Sequence, residues 1–270
     1  MPRRVPGKHF LRNLIERRTL LFQLVRRDFD QRFVGSVIGW IWGILNPLVL
    51  LTSWYYIFVI VLKYQLPPGE VTGNYPLFIF SGMLPWMLFS ETVLRSASSL
   101  LEHANLITKS MFPAEIVPVA VFLSNLASHF LALALMIVAT LYWNHGIGWA
   151  VLLLPAYLFF IGLFSVGLGW IASSLHVFLR DTAQLVGVVL TFWFWLTPIM
   201  LPARLVPERY RWLLRLNPMY YAVELYRQAF FTSRFPEWRA VGALALSGIV
   251  MFVAGGLFFR YVKRGFADVL

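Results

Sequence analysis

The sequence contains no cysteine and few charged residues. None of its 270 residues is Cys, and Asp, Glu, Lys and Arg together make up 13% of the chain. The missing thiols exclude disulfide bonds, thiolate zinc sites and cysteine nucleophiles. Hydrophobic residues make up 59% of the chain, so the scarcity of charge excludes an ordinary soluble surface. We therefore expect one membrane domain and no separate soluble domain.

The longest stretch without charge extends over residues 116–179, which include no Asp, Glu, Lys or Arg. About 20 apolar residues of α-helix cross the roughly 30 Å hydrocarbon core of a bilayer. The sequence Tyr142-Trp143-Asn144-His145-Gly146 divides the stretch into two segments that are each long enough. Because lipid cannot hydrogen-bond to the backbone, both segments are predicted to be membrane-spanning helices.

Six candidate spans predict an all-α, polytopic membrane protein. They cover residues 35–62, 71–90 with a continuation to about 99, 116–142, 149–174, 182–203 and 240–259. Residues 1–34 are predicted to form a tail with an amphipathic interface helix, and residues 35–270 the membrane domain. An even number of spans places both termini on one side of the membrane.

The net charge of +11 is distributed unevenly. Nine Arg and Lys residues precede residue 35, and the C-terminal segment adds Arg260, Lys263 and Arg264. Basic residues favour the cytoplasmic side, so both termini are predicted to be cytoplasmic. Seven arginines between Arg204 and Arg239 oppose this assignment. In a membrane protein a basic excess indicates contact with anionic headgroups, so we expect no nucleic-acid partner.

The segment before the first span has apolar residues at helical spacing. They are Leu11, Leu14, Ile15, Leu21, Phe22, Val25 and Phe29. The charged residues of the same segment fall mainly elsewhere, which predicts an amphipathic helix along the cytoplasmic interface. The alternative is a positively charged tail that only orients the first span.

The sequence motifs provide no catalytic or metal site. Asp28-Phe29-Asp30 matches a metal motif of nucleotide-sugar enzymes, but nothing in the chain builds the required α/β sheet, so these acids are predicted to be solvated. The histidines lack metal-ligand spacing; they are His9, His103, His129, His145 and His176. No Gly-rich run ends in Gly-Lys-Ser/Thr, so the chain is not expected to hydrolyse ATP unaided.

Glu91 and Arg95 are the main ionisable residues within the predicted spans. They are four residues apart on one helix face, where a local ion pair near the cytoplasmic end is predicted. Ion-coupled transport usually needs an ionisable group buried in the membrane. We therefore do not expect proton coupling, and the pathway must be powered by another source.

Aromatic residues make up 17% of the chain, and one run lies within the fifth predicted span. It consists of Phe192, Trp193, Phe194 and Trp195. An interfacial aromatic belt is the ordinary explanation for such residues. The mid-span position favours a second hypothesis, in which the rings stack on sugar C–H surfaces and let a polymer slide.

The fifth and sixth predicted spans are joined by a long connection that contains four prolines. Residues 204–216 and 219–231 are predicted to form two short helices, separated at Asn217-Pro218 because proline disfavours helix for the preceding residue. Their mixed aromatic and charged character indicates short interfacial or re-entrant helices on the outer side. Non-helical backbone at that depth needs protein or water around it.

Short strings in a fixed order give the sequence a recognisable pattern over residues 20–235. They are Arg26-Arg27-Asp28 through Arg32-Phe33, Gly39-Trp40-Ile41-Trp42, Leu45-Asn46-Pro47, Phe80-Ser81-Gly82-Met83-Leu84-Pro85-Trp86, Asn105-Leu106-Ile107-Thr108-Lys109, Phe112-Pro113, Pro118, Arg180-Asp181, Thr197-Pro198-Ile199, Val206-Pro207-Glu208-Arg209 and Leu216-Asn217-Pro218. In these strings the chain resembles the permease subunit of ABC-2-type polysaccharide exporters, which serve O-antigen, capsule and teichoic acid. The details are most similar to the O-antigen-type branch.

The resemblance implies a homodimer of six-helix permeases, each docked on a separate cytoplasmic ATPase subunit that binds the ATP and Mg²⁺. No cofactor of the chain's own is implied. The loop after the second span would be the coupling helix that enters the ATPase, with Asn105, Leu106, Ile107 and Lys109 as its contact residues. The N-terminal amphipathic helix would touch the ATPase and the lipid headgroups, and the Asn217-Pro218 region would cap the channel.

The resemblance also implies export of an undecaprenyl-pyrophosphate-linked glycan across the bacterial cytoplasmic membrane. Arg26, Arg27 and Arg32 would then attract the pyrophosphate, or they would only anchor their helix to anionic lipid. A small-molecule or drug exporter of the same superfamily would share the fold. A glycan enzyme would need catalytic acids or histidines at the membrane surface, and an ion-coupled flippase would need buried acids.

Overall fold

The computed structural model describes residues 18–31, 39–109, 112–144 and 146–268. These ranges are helical apart from turns and loops, which confirms the all-α prediction for the described chain. The helices are α1 Arg18–Gln31, α2 Trp42–Trp54, α3 Tyr75–Glu102, α4 Ala104–Lys109, α5 Ile116–Asn144, α6 Leu154–Phe178, α7 Thr182–Leu196, α8 Arg211–Leu216, α9 Pro218–Phe231 and α10 Trp238–Val262. A π-helical segment, Tyr55–Val61, continues α2.

Four helical segments of the described chain are long and apolar enough to cross a membrane. They are Tyr75–Glu102, Ile116–Trp143, Trp149–Phe178 and Trp238–Phe266. Two further apolar helices are shorter, Leu45–Val61 and Thr182–Leu196. The protein is therefore a multi-pass membrane protein. Each of the four long segments overlaps a predicted span, and the two shorter helices overlap parts of the first and fifth predicted spans.

The long helices extend between two ends of one bundle. At one end, Leu24 of α1 packs on Ile116 at the start of α5, and Lys263, just after α10, donates to Glu115 Oε2 at 2.6 Å. At the other end, which contains α9, the Tyr75 hydroxyl at the start of α3 donates to Met200 O at 2.9 Å. We call these the α1 end and the α9 end.

Helix α3 is the central helix. In the most apolar part of α3, 78% of the residues are buried, whereas in the most apolar part of α10 only 17% are buried. Asn74 begins α3 because its side chain accepts from Leu77 N at 3.2 Å, and Pro76 follows in the first turn. This N-cap corrects the predicted start at residue 71, since the loop before Asn74 is not helical.

Helices α6 and α10 form an extensive contact in which glycines let the backbones touch. A Cβ atom added to Gly255 would lie far inside the contact distance of Gly167 O, and one added to Gly167 would collide with Met251 O. Close packing of small residues is the main attraction between helices in lipid, where the hydrophobic effect is lost. The two glycines thus fix the relative position of α6 and α10.

Helix α1 confirms the amphipathic pattern in part. Leu24 is buried and Leu20, Leu21 and Val25 pack beside it against α5. Phe22, predicted on the apolar face, is instead exposed over 69% of its surface, because the contact with α5 covers only one side of the helix. The predicted apolar positions Leu11, Leu14 and Ile15 lie outside the described residues.

Candidate functional site

Helix α4 lies at the α1 end, in the loop predicted to couple the chain to an ATPase. His103 starts it: His103 O accepts from Leu106 N at 2.9 Å and from Ile107 N at 3.1 Å. The His103 ring nitrogen Nδ1 lies 2.8 Å from Ser99 O, which joins α4 to α3. The predicted short helix is therefore present, and it is attached to the central helix of the bundle.

The predicted contact residues of α4 differ in their surroundings. Asn105 and Leu106 are exposed, whereas Ile107 is half-buried and packs against the hydrophobic core. Lys109 is the last residue of α4. Asn105 and Leu106 thus offer a surface at the α1 end, and Ile107 holds the helix in place.

Two of the three arginines predicted to meet lipid headgroups lie on the exposed side of α1. Arg26 and Arg27 are exposed, and Arg26 makes a loose ion pair with Asp30 across one helical turn, at 3.8 Å. Such exposed pairs contribute little to stability. Arg32 lies outside the described residues. The two described guanidinium groups are thus positioned for an external anionic partner.

Asp28 and Arg95 form a polar connection between α1 and the membrane helices. Arg95 Nη2 donates to Asp28 Oδ1 at 2.7 Å, with the two side chains 29% and 12% exposed. Arg95 Nη1 donates to Asn125 Oδ1 of α5 at 2.9 Å, and Asn125 Nδ2 donates to Thr92 Oγ1 at 3.0 Å. A continuous hydrogen-bonded network therefore joins α1, α3 and α5.

This network corrects two predictions. Asp28 is not a solvated acid, because α1 packs against the bundle and turns this carboxylate inward. The Arg95 guanidinium reaches Asp28 and Asn125, on two other helices, where a local pair with Glu91 was predicted. The sequence signal for the network is weak, since the partners are 67 and 30 residues away from Arg95.

The aromatic run of α7 divides into two inward and two outward rings. Trp193 packs edge-on against Phe89 of α3, with ring centroids 5.2 Å apart, and Phe194 packs against Trp86 at 5.6 Å. Phe192 and Trp195 are 66% and 70% exposed. Successive helical residues point about 100° apart, so such a division is expected. Phe192 and Trp195 are thus the most exposed rings of the run, and the ones most accessible to a partner, to lipid or to a cargo.

Asn217 organises the turn at the α9 end. Its Oδ1 accepts from Met219 N at 3.0 Å, which caps α9, and from Trp193 Nε1 at 2.9 Å. Its Nδ2 donates to Thr197 Oγ1 at 2.9 Å. The Asn-Pro boundary predicted the start of α9, because Asn is a common N-cap and Pro a common first residue. The bonds to α7 were not predicted.

Arg227 is a fully buried cation that the sequence analysis missed. It is 1% exposed; Nη1 donates to Glu224 Oε1 at 2.9 Å and Nη2 donates to Ile199 O at 2.7 Å. Its guanidinium carbon lies 3.6 Å from the ring centre of Phe78. Gly82 makes room for it, since an added Cβ would lie 3.1 Å from Nη2. The sequence feature that could have indicated a partner for Arg227 is Glu224, three residues earlier on the same face of α9.

Arg204 connects two loops at the α9 end: the loop before α3, residues 62–74, and the loop after α7, residues 197–210. Its Nε lies 2.6 Å from Glu70 Oε1, and its terminal nitrogens donate to the carbonyls of Pro67 and Pro68. Burial and the nearby Glu70 raise the pKa of the Tyr64 phenol, while Arg204 opposes them. Some of the arginines that opposed the predicted orientation thus have structural partners within the chain.

The helix predicted over residues 204–216 is wrong in its first half. Two short 3-10 turns, Ala203–Leu205 and Glu208–Tyr210, precede α8. Val206 is extended (φ −70°, ψ 124°), since the following Pro207 disfavours helical backbone there. The second predicted helix, residues 219–231, is confirmed as α9, one residue longer.

Comparison with known proteins finds a matching family and similar proteins of nearly the same length. The sequence pattern of the family described as ABC-2 type transporter matches residues 19–231. An O-antigen export system permease protein, RfbA, of Myxococcus xanthus is 32% identical over 260 residues, which cover 96% of this chain and 98% of that protein. RfbA of Klebsiella pneumoniae is 28% identical, covering 93% and 95%. The polysialic acid transport protein KpsM of Escherichia coli is 22% identical, covering 88% and 91%.

Proposed function

Because the chain belongs to the ABC-2 type transporter family, we propose that it is the membrane subunit of an ATP-driven exporter of O-antigen-type polysaccharide. The observation that carries the proposal is the similarity to O-antigen export permeases over nearly the full length of both proteins. Capsule polysaccharide is the second candidate cargo, supported by the weaker similarity to a polysialic acid transport protein.

A separate ATPase subunit binds the α1 end in this proposal and holds the ATP and Mg²⁺. Asn105 and Leu106 would contact it directly, with Ile107 fixing α4 to the bundle and Lys109 at its end. The Asp28–Arg95–Asn125 network supports this role, since it joins α1 to two membrane helices. Movement of the ATPase against α1 or α4 would thus reach the membrane directly.

The proposed membrane arrangement has six spans, with both termini in the cytoplasm of a bacterial cell. Helix α1 and the turn Lys263–Asp268 lie at the same end of the bundle, which fits an even number of spans. A cysteine placed at Ala104 should be protected from an impermeant thiol reagent added outside intact cells, and one at Gly146 should react. The chain has no other cysteine to interfere, and the reverse pattern would invert the topology.

Two copies of the chain form the exporter in this proposal, and the cargo is a glycan linked to undecaprenyl pyrophosphate. Phe192 and Trp195 of the exposed α7 face would line the path at the dimer interface. Arg26, Arg27 and Arg32 would attract the pyrophosphate headgroup at the cytoplasmic surface. The exposed positions of Arg26 and Arg27 support this role.

Deletion of the gene for this chain in its own organism tests the proposal. We expect loss of surface O-antigen and accumulation of the glycan inside the cell, both reversed by a plasmid copy. Mild acid hydrolysis of the accumulated material should release the glycan from its lipid. Loss of capsule with intact O-antigen would favour the second cargo. Unchanged surface glycans together with altered drug accumulation would overturn the proposal.

A further inference from the structure

Glu115, the last residue of the loop between α3 and α5, is bonded to two other parts of the chain. It directly precedes α5. Its side-chain Oε2 accepts from Lys263 Nζ, in the turn after α10, at 2.6 Å. Its backbone oxygen accepts from Trp170 Nε1 of α6 at 3.0 Å. The end of this loop is thus attached through both its side chain and its backbone.

The Trp170 donor is fixed between α6 and α10. Its side chain is buried, and its ring centroid lies 4.8 Å from that of Phe252 in α10. A Cβ atom added to Gly256 of α10 would lie 3.3 Å from the same ring. Because α6 and α10 are also in backbone contact at their glycines, Trp170 donates to Glu115 from a closely packed helix pair.

The Lys263 donor belongs to the same pair of helices. Phe266, three residues later, is buried, and its ring centroid lies 5.5 Å from that of Phe259 in α10 and 6.1 Å from that of Phe178 in α6. These rings hold the turn Lys263–Asp268 against the ends of both helices. The side chains of Lys263 and Glu115 are 39% and 20% exposed, so their ion pair should affect position more than stability.

The two bonds to Glu115 connect groups of helices that otherwise pack mainly among themselves. Helix α5 packs mainly on α3 and α1, whereas α10 packs mainly on α6. At the other end of the same loop, His103 joins α4 to α3. We call residues 103–115 the coupling loop. It is held at one end on α3 by His103 and at the other end on the α6–α10 pair by Glu115.

We propose that Glu115 anchors the coupling loop and that Lys263 and Trp170 are positioning residues for coupling to the ATPase. The inference rests on the proposed function, because it takes α4 as the ATPase contact. A loop held at both ends passes a displacement of α4 to the membrane helices, whereas a loop with one loose end bends and absorbs it. Loss of the anchor should therefore lower the amount of glycan exported per ATP, while ATP turnover continues.

Charge reversal at Lys263 tests the side-chain anchor. Lys263→Glu places an acid opposite Glu115, and Arg264→Glu makes the same change at the next residue, which is exposed. Export is measured as surface glycan in the gene-deletion strain carrying each variant, and ATP turnover on the purified permease–ATPase complex. We expect Lys263→Glu to lower export per ATP at least about threefold, with ATP turnover and thermal midpoint close to those of Arg264→Glu. The double variant Lys263→Glu with Glu115→Lys should recover export.

A pair of tryptophan variants tests the backbone anchor. Trp170→Phe keeps a ring but removes the donor to Glu115 O. Trp149→Phe is the matched control, because Trp149 Nε1 donates to a backbone oxygen at the α9 end, Ser233 O, at 2.8 Å. Only Trp170→Phe should lower export per ATP. A loss of export matched by a loss of thermal midpoint in both Lys263→Glu and Trp170→Phe would make the contacts purely structural and overturn the proposal.

Hydrogen exchange of the permease alone provides a readout that needs neither ATPase nor cargo. Exchange of residues 112–117 should be faster in Lys263→Glu than in Arg264→Glu. Equal exchange, or equal export per ATP, in these two variants would overturn the proposal. Failure of the proposed function would show separately, because gene deletion would then leave the surface glycans intact whatever the exchange rates.

Discussion

The two ends of the bundle differ in how they use some of their polar side chains. At the α9 end, Arg227 and Asn217 are buried, and their hydrogen bonds go to the chain itself. At the α1 end, Arg26, Arg27 and Asn105 are exposed. Buried polar groups must be matched because an unmatched one costs about 1–3 kcal/mol. The α9 end thus depends on internal bonds, and the α1 end offers side chains to other molecules.

The lengths of the connections explain part of this difference. At the α1 end only residues 103–115 join α3 to α5, and α4 occupies much of that loop. At the α9 end residues 197–237 join α7 to α10 and include α8 and α9. The longer connection has enough chain to cover its own polar groups. The shorter one leaves α4 at the surface.

The largest effect should come from Arg227→Leu at the α9 end. The change removes the donor to Glu224 and to Ile199 O. Breaking a buried ion pair typically costs about 3–5 kcal/mol, and because Glu224 is 26% exposed the loss should lie towards the lower end of that range. We expect little folded protein and a strongly lowered thermal midpoint in detergent. Arg234→Leu, at an exposed position of the same connection, is the control. Equal midpoints for the two variants would contradict the internal role of Arg227.

A similar loss is expected for Trp193→Ala, but not for Trp195→Ala. Trp193 packs on Phe89 and donates to Asn217, and truncation of a buried aromatic ring costs about 3–5 kcal/mol in soluble cores. Trp195 is 70% exposed, so its truncation should spare the fold and slow glycan export. Thermal unfolding and an export assay measured on both variants separate packing from transport. The sliding-surface hypothesis fails if Trp195→Ala exports normally.

An intermediate effect is expected for Asp28→Asn at the α1 end. The change keeps an acceptor oxygen but removes the negative charge that faces Arg95. Because hydrogen bonds to charged groups contribute about 1.5–3 kcal/mol and neutral ones about 0.5–1.5 kcal/mol, α1 should be held less firmly on α3. Hydrogen exchange of residues 18–31 should accelerate while exchange at the α9 end stays unchanged. Asp30→Asn is a matched control, because Asp30 is exposed on the same helix. Equal exchange in the two variants would show that the pair does not hold α1.

The smallest effect on stability is expected for the double change Asn105→Ala and Leu106→Ala. Both residues are exposed and Ala favours helix, so the free energy of unfolding should change by no more than about 0.5 kcal/mol. We expect loss of export and of permease-stimulated ATP turnover by the partner subunit. Ile107→Ala should instead lower stability, because Ile107 packs on the core. Normal turnover in the double variant would remove α4 from the proposed interface.

The sequence predicted the elements of this fold better than the contacts between them. The long uncharged stretch predicted the positions of α5 and α6. Backbone groups in lipid must bond to each other, and in an all-α chain only helices satisfy this requirement. Helix ends were predicted where local chemistry sets them, as at Asn217-Pro218. The start of α3 was placed too early because the apolar residues before Asn74 belong to a loop.

The polar contacts of the candidate site were largely beyond sequence reasoning. Asp28 was assigned to solvent because the chain has no α/β sheet to build a metal site around it, yet its partner is Arg95, 67 residues away. Arg227 was counted as one of several outer arginines, and only the packing of α9 against α3 shows that it is buried. Charge patterns along a chain report local surroundings. They do not report which helices meet.

The glycine contact between α6 and α10 has a mechanical consequence. Because the backbones touch at Gly167 and Gly255, a slip of one helix along the other would drive side-chain carbons into carbonyl oxygens. We expect the pair to move as one rigid body, so that any widening of a transport path is left to α2 and α7. Gly255→Val should therefore disrupt the pair, whereas Gly242→Val, at a position with open space around it, should leave its thermal midpoint unchanged. Two residues without side chains would thus hold α6 and α10 together as one unit during transport.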